Sequence, residues 1–140
     1  PNDIEVQLRL YNIAKHDPTS DLFHKQARNL LSITKSDEDT IKMILAIYTE
    51  YSSIASPPKL SANLLFKLAT KFANSSYTDE AENIMLLLLN KRPDFEKIPK
   101  GLALLINNYK LQDNKTKISI YFEILKNNYP DSYEAKQTVI

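Results

Sequence analysis

The chain has 140 residues, of which 43% are hydrophobic and 25% charged, with Lys+Arg 18 against Asp+Glu 17 and a net charge of +1. This is the balance of one compact domain; it excludes a disordered charged tail, and it lacks the basic excess of a nucleic-acid-binding face. One glycine and no cysteine exclude glycine-rich phosphate loops, nucleophile elbows, thiolate chemistry, disulfides and Cys-type zinc sites.

Taken in chain order, apolar residues recur at three and four, the period of helices with one buried face. A first helix is expected over residues 3–15, with Val6, Leu10, Ile13 and Ala14 inward, closed by Asp17-Pro18; its Ile4, Val6, Leu8 and Leu10 also alternate as in a strand. Ser20-Asp21 opens a second, carrying Phe23, Ala27, Leu30 and Leu31. Ser36 to Asp39 opens a third, carrying Ile41, Ile44, Leu45, Tyr48 and Tyr51, which cannot pass Pro57-Pro58. A fourth runs from about Leu60 to Ala73 on Leu64, Leu65, Leu68 and Phe72. Thr78-Asp79-Glu80 caps a fifth, with Ala81, Ile84, Met85, Leu88 and Leu89; Leu86 and Leu87 make it apolar nearly all round, which predicts burial between neighbours. Pro99 suits the first turn of a sixth, on Leu102, Leu105, Ile106 and Tyr109. Asp113-Asn114 caps a seventh, on Ile118, Tyr121, Phe122 and Leu125, and a short amphipathic piece follows from Tyr133. The longest purely apolar run, residues 84–89, is far short of the ~20 residues of a membrane span, so this segment is expected to make no direct membrane contact. Pro1 is not a natural start, which points to a segment removed upstream.

The pattern repeats. With Pro93 set against Pro130, Leu65, Leu68, Ala69, Phe72, Ala81, Met85 and Leu88 fall opposite Leu102, Leu105, Ile106, Tyr109, Ile118, Phe122 and Leu125. This order resembles the tetratricopeptide repeat, a helix–turn–helix unit of about 34 residues. Leu68, Ala69, Phe72, Ala81 and Pro93 match it, as do Leu105, Tyr109, Phe122 and Pro130. Leu65 and Leu102 stand at the Trp position, and Leu88, Ile106, Ile118 and Leu125 where small residues are usual. The resemblance is best over residues 61–130. It implies an all-α, right-handed solenoid of antiparallel helix pairs: about three units (20–56, 61–95 and 98–132) in a single 1–140 domain, plus a C-terminal capping helix.

Such a fold implies a non-enzymatic scaffold that holds a peptide or partner helix in a concave groove lined by the first helix of each pair. By the family pattern the groove residues are Asn63, Phe66, Thr70 and Ala73 in one unit, and Lys100, Ala103, Asn107 and Lys110 in the next. Chaperone-binding members clamp a carboxylate with Lys, Asn and Arg; Ala103 stands where that clamp has a cation, so chaperone tails are not implied. No cofactor, metal or nucleic-acid partner is expected, and self-association stays open. The alternative is a regulatory or self-association domain attached to an enzyme or membrane protein. The missing Cys and the Tyr129-Pro130-Asp131-Ser132 ending resemble repeat domains of bacterial envelope proteins, which favours an extracytoplasmic location over a cytoplasmic one.

Catalytic readings are weak. His16 and His24, with Asp17 and Asp21, lack helical zinc spacing and are expected at the surface, and a Ser20, His24, Asp21 arrangement has no oxyanion element. Asp37-Glu38-Asp39 and Asp79-Glu80-Glu82 are accounted for by helix N-termini, where carboxylates favour the dipole.

Overall fold

The computed structural model describes residues 3–55 and 57–139. The described residues form helices α1 (Ile4–Ala14), α2 (Asp21–Leu31), α3 (Glu38–Ile54), α4 (Ala62–Asn74), α5 (Thr78–Lys91), α6 (Ile98–Leu111), α7 (Lys115–Asn128) and α8 (Tyr133–Gln137), with no strand among them. The all-α expectation holds, and the alternating start of the chain is helical. The chain divides into two compact units, Pro1–Leu64 and Leu65–Ile140, with α4 lying mostly in the second.

The helix starts follow local chemistry. Ser20, Asp37, Asn114 and Ser132 accept hydrogen bonds from the main-chain N–H groups of Phe23, Thr40, Lys117 and Ala135, each satisfying a donor that the first turn leaves orphaned. Ser61 does the same for Leu64 ahead of α4. Thr78 does not cap α5; Tyr77 holds that position without a side-chain bond, and Thr78 is buried.

In the first unit, α2 packs against α1 and α3. Phe23 is the centre: its ring meets Tyr11 at 5.6 Å and Tyr51 at 5.3 Å, with Ala27, Leu30 and Ile44 buried around it. α1 turns a different face inward from the one its apolar spacing predicts. Ala14 is buried as expected, but Val6, Leu10 and Ile13 are exposed, Ile13 at 68%, and Tyr11 is buried in their place. The reason is the size and chemistry of Tyr11. Its ring joins the Phe23 cluster, and its hydroxyl donates to Glu50 Oε1 on α3 at 2.7 Å, a bond available only if that side of α1 turns inward.

In the second unit, α6 packs against α5, α7 and α8. The two sequence-matched sets are buried throughout except Phe122, which is half-buried with Lys126 Nζ 5.2 Å above its ring. Gly101, the only glycine, lies where α6 meets α5. A Cβ there would sit 2.5 Å from Met85 Sδ and 3.5 Å from Phe66 Cε1, so the end of the buried Met85 side chain occupies the space a side chain at 101 would need. Leu86 and Leu87 of α5 are exposed rather than sandwiched, because the face that meets α6 is the Ala81, Met85 and Leu88 side.

The α4–α5 and α6–α7 turns are built alike. The Phe72 carbonyl accepts from the Tyr77 N–H at 2.8 Å, with Ser76 at φ 68°; the Tyr109 carbonyl accepts from the Asn114 N–H at 2.9 Å, with Asp113 at φ 53°. This is the left-handed residue that closes many helix C-termini. The far ends match as well. Arg92 (φ −138°, ψ 60°) and Tyr129 (φ −134°, ψ 49°) donate their N–H groups to Leu88 and Leu125, and the Tyr129 hydroxyl donates to the Pro93 carbonyl at 2.8 Å. The two proline-closed ends therefore lie side by side.

Candidate functional site

The residues expected to line a groove lie on α4 and α6. Asn63 is exposed and belongs to the first unit; the other expected groove residues belong to the second. Phe66 is only 7% exposed, covered by the Phe95 ring at 6.2 Å and by Lys97 Nζ at 5.6 Å from its centroid. It is a core residue, not a groove wall, because the segment ahead of α6 folds over it. Thr70 is half-buried, and its hydroxyl donates to the Phe66 carbonyl at 3.0 Å. Lys110 is exposed, but its Nζ donates to the Val139 carbonyl at 2.7 Å. Lys100 and Asn107 are both exposed on α6, two turns apart on one face. One offers an ammonium, the other an amide that both donates and accepts, which suits a carboxylate and a peptide backbone.

Two polar clusters lie between helices, where sequence reasoning had placed only core or solvent. In the second unit Glu82 of α5 is 7% exposed. Its carboxylate accepts from Lys117 Nζ at 2.7 Å and from the Tyr121 hydroxyl, both on α7. Tyr109 stacks on Tyr121, with centroids 6.1 Å apart and planes 4° apart, and brings a buried hydroxyl to the same region without closing a hydrogen bond. Burial pushes the Glu82 carboxyl up, but the Lys117 and Tyr121 bonds outweigh it and hold it below the usual carboxylate value. Burial, then Glu82, push the Tyr121 and Tyr109 phenols up. Nearby, Gln112 Nε2 donates to Thr78 Oγ1 at 3.0 Å, which donates to Asn108 Oδ1 at 2.9 Å.

In the first unit Glu50 of α3 takes the Tyr11 hydroxyl and Lys15 Nζ, the latter at 3.2 Å; the Tyr11 bond is the main reason its carboxyl is held low. His24 is not at the surface. It is 6% exposed, with Nδ1 2.6 Å from the Tyr51 hydroxyl. His16 is exposed, and Ser20 is committed to capping, so no Ser-His-Asp arrangement forms. The signal that could have found the Glu82 cluster is the Lys117 and Tyr121 pair at i, i+4, which shares one helix face. For His24 there was none, since its partner lies 27 positions away.

A cleft of about 440 Å³ opens in the first unit, walled in part by Ile4, Gln7, Asn29 and Lys35. Among the described residues no group of three or more His, Asp or Glu comes together to hold a metal ion, and no helix is long and apolar enough to cross a membrane. Compared with protein-family models, with curated proteins and with solved structures, the chain matches none.

Proposed function

We propose that the protein is a non-enzymatic interaction module of the tetratricopeptide type, holding a peptide or partner helix along the exposed face of its first helices. The observation that supports this reading is the likeness of the two turns at Ser76 and Asp113, together with proline-closed ends in contact through Tyr129 and Pro93. Hairpins that share a turn and lie edge to edge present their first helices in the same sense, which is how a repeat surface arises. On that surface Lys100 and Asn107 are the residues that bind, Lys100 by charge and Asn107 by its amide. Phe66 supports the surface from beneath.

The test is selection of a displayed peptide library on the wild-type chain, followed by binding of the selected peptides to Lys100→Glu/Asn107→Ala. Loss of at least tenfold in affinity with unchanged thermal unfolding supports the reading. Peptides that bind the variant equally, or no selected peptides at all, refute it.

A second reading, self-association or regulation of an attached enzyme, draws on the exposed Val6, Leu10 and Ile13 of α1. Sedimentation of the wild type against Leu10→Asp separates the two: a monomer in both cases leaves the second reading without support.

A further inference from the structure

The Tyr51 hydroxyl sits where α2, α3 and the segment after α3 converge. The tyrosine is fully buried. Its oxygen accepts the Lys59 main-chain N–H at 2.8 Å and lies 2.6 Å from His24 Nδ1. With Lys59 donating to the oxygen, the single phenolic proton is directed at Nδ1, which accepts only while the imidazole is neutral. Lys59 is fastened at two further points. Arg28 Nη1 donates to its carbonyl at 3.3 Å, and its own Nζ lies 3.4 Å from Asp21 Oδ1.

Protonating His24 sets this arrangement against itself. The imidazolium would be buried at 6% exposure. Two cations face it, Lys59 from the segment and Arg28 from its own helix, against one anion, Asp21. From α3 it faces Tyr51, and α1 contributes Tyr11, whose ring meets Phe23 at 5.6 Å and whose hydroxyl is committed to Glu50. Nδ1 would turn from acceptor to donor, and the Tyr51 proton would lose its acceptor. Burial, then Lys59 and Arg28, hold the ring below the ordinary histidine value of 6.5 against the pull of Asp21.

We propose that His24 and Tyr51 form a proton-released latch: the neutral ring holds Lys59 against α2 and α3, and protonation in mild acid frees residues 57–61. The sign follows from linkage. The closed state resists the proton and the open state takes it up, so closure is complete above the ordinary histidine value and weakens as pH falls below it. Residues 57–61 lead from α3 into α4 and lie within the first compact unit, so opening loosens the end of that unit.

The measurement is amide hydrogen exchange at Lys59 in the whole chain, followed beside the His24 ring signal by NMR from pH 7.5 to 5.5. An open state titrating near the ordinary value predicts a protection factor about tenfold lower at pH 5.5 than at pH 7.5. His24→Asn places a non-titrating acceptor near Nδ1 and should flatten the profile; Tyr51→Phe should remove Lys59 protection at both pH values. Constant Lys59 protection in the wild type overturns the latch, as does a His24 ring that titrates at its ordinary value. If His24→Asn does not fold, the wild-type titration decides alone, because the latch requires both signals to change together.

Discussion

Glu82 on α5 accepts a hydrogen bond from Tyr121 on α7, 39 positions downstream, and Glu50 on α3 accepts one from Tyr11 on α1, 39 positions upstream. In both units a lysine joins at a separation of 35, Lys117 on Glu82 and Lys15 on Glu50. A Tyr and a Lys one helical turn apart thus grip a carboxylate on another helix, with chain order reversed between the two units. These clamps give the cores a polar register that apolar packing alone does not supply.

Glu82→Ala leaves the buried Tyr121 phenol and the Lys117 ammonium without their acceptor. Hydrogen bonds to charged groups are worth about 1.5–3 kcal/mol each, and orphaned buried donors add to the loss. The expected cost is about 2–4 kcal/mol by urea unfolding, with Tyr121→Phe costing less because the Lys117 bond survives. A cost below about 0.5 kcal/mol for Glu82→Ala would show that the clamp contributes nothing net.

Acid should act through the same carboxylates. Glu82 and Glu50 are both held below the usual value, so their contribution is complete above the ordinary carboxylate pKa of 4.5 and is lost as pH falls through their lowered values. Unfolding free energy should therefore decline on acidification below about pH 4.5, and more shallowly in Glu82→Gln, which has no proton to take up. Parallel pH profiles for wild type and Glu82→Gln would contradict this.

Gly101→Ala gains about 1 kcal/mol of helix propensity but drives a methyl into Met85, where overpacking costs about 1–3 kcal/mol. The balance is a net destabilisation of about 0–2 kcal/mol. Thermal unfolding of the single and double variants tests the contact directly: Gly101→Ala should be better tolerated on a Met85→Ala background than on the wild type.

Ser76 and Asp113 occupy left-handed backbone that disfavours side chains. Ser76→Gly and Asp113→Gly should each stabilise by up to about 1 kcal/mol, the relieved strain exceeding the entropy gained by the unfolded chain. Stabilisation at both sites would match their shared left-handed backbone; destabilisation at either would show a side-chain role the turn does not reveal.

The helices were legible because caps, prolines and a period of 3.6 are local. Ser20, Asp37 and Asn114 bond the main-chain N–H of Phe23, Thr40 and Lys117 three positions on, and Pro99 lies in the first turn of α6. The faces were less legible. α1 carries two overlapping apolar stripes, and the choice between them rests on Tyr11 finding Glu50. From sequence His24 reads as a surface group and Glu82 as a helix-N-terminal carboxylate, because their burial depends on partners 27 and 39 positions away. The α4 pattern alone places Phe66 in the groove, whereas Phe95 and Lys97 of the next connection cover it.

The Phe72 and Tyr109 carbonyls end their helices through main-chain bonds that wait for no distant side chain. The α6–α7 reversal joins two helices that pack on each other, so it can condense early, with loop closure of only a few residues. Refolding should begin at α6–α7, with the Glu82 clamp, whose partners lie 35 and 39 positions away, locking in late.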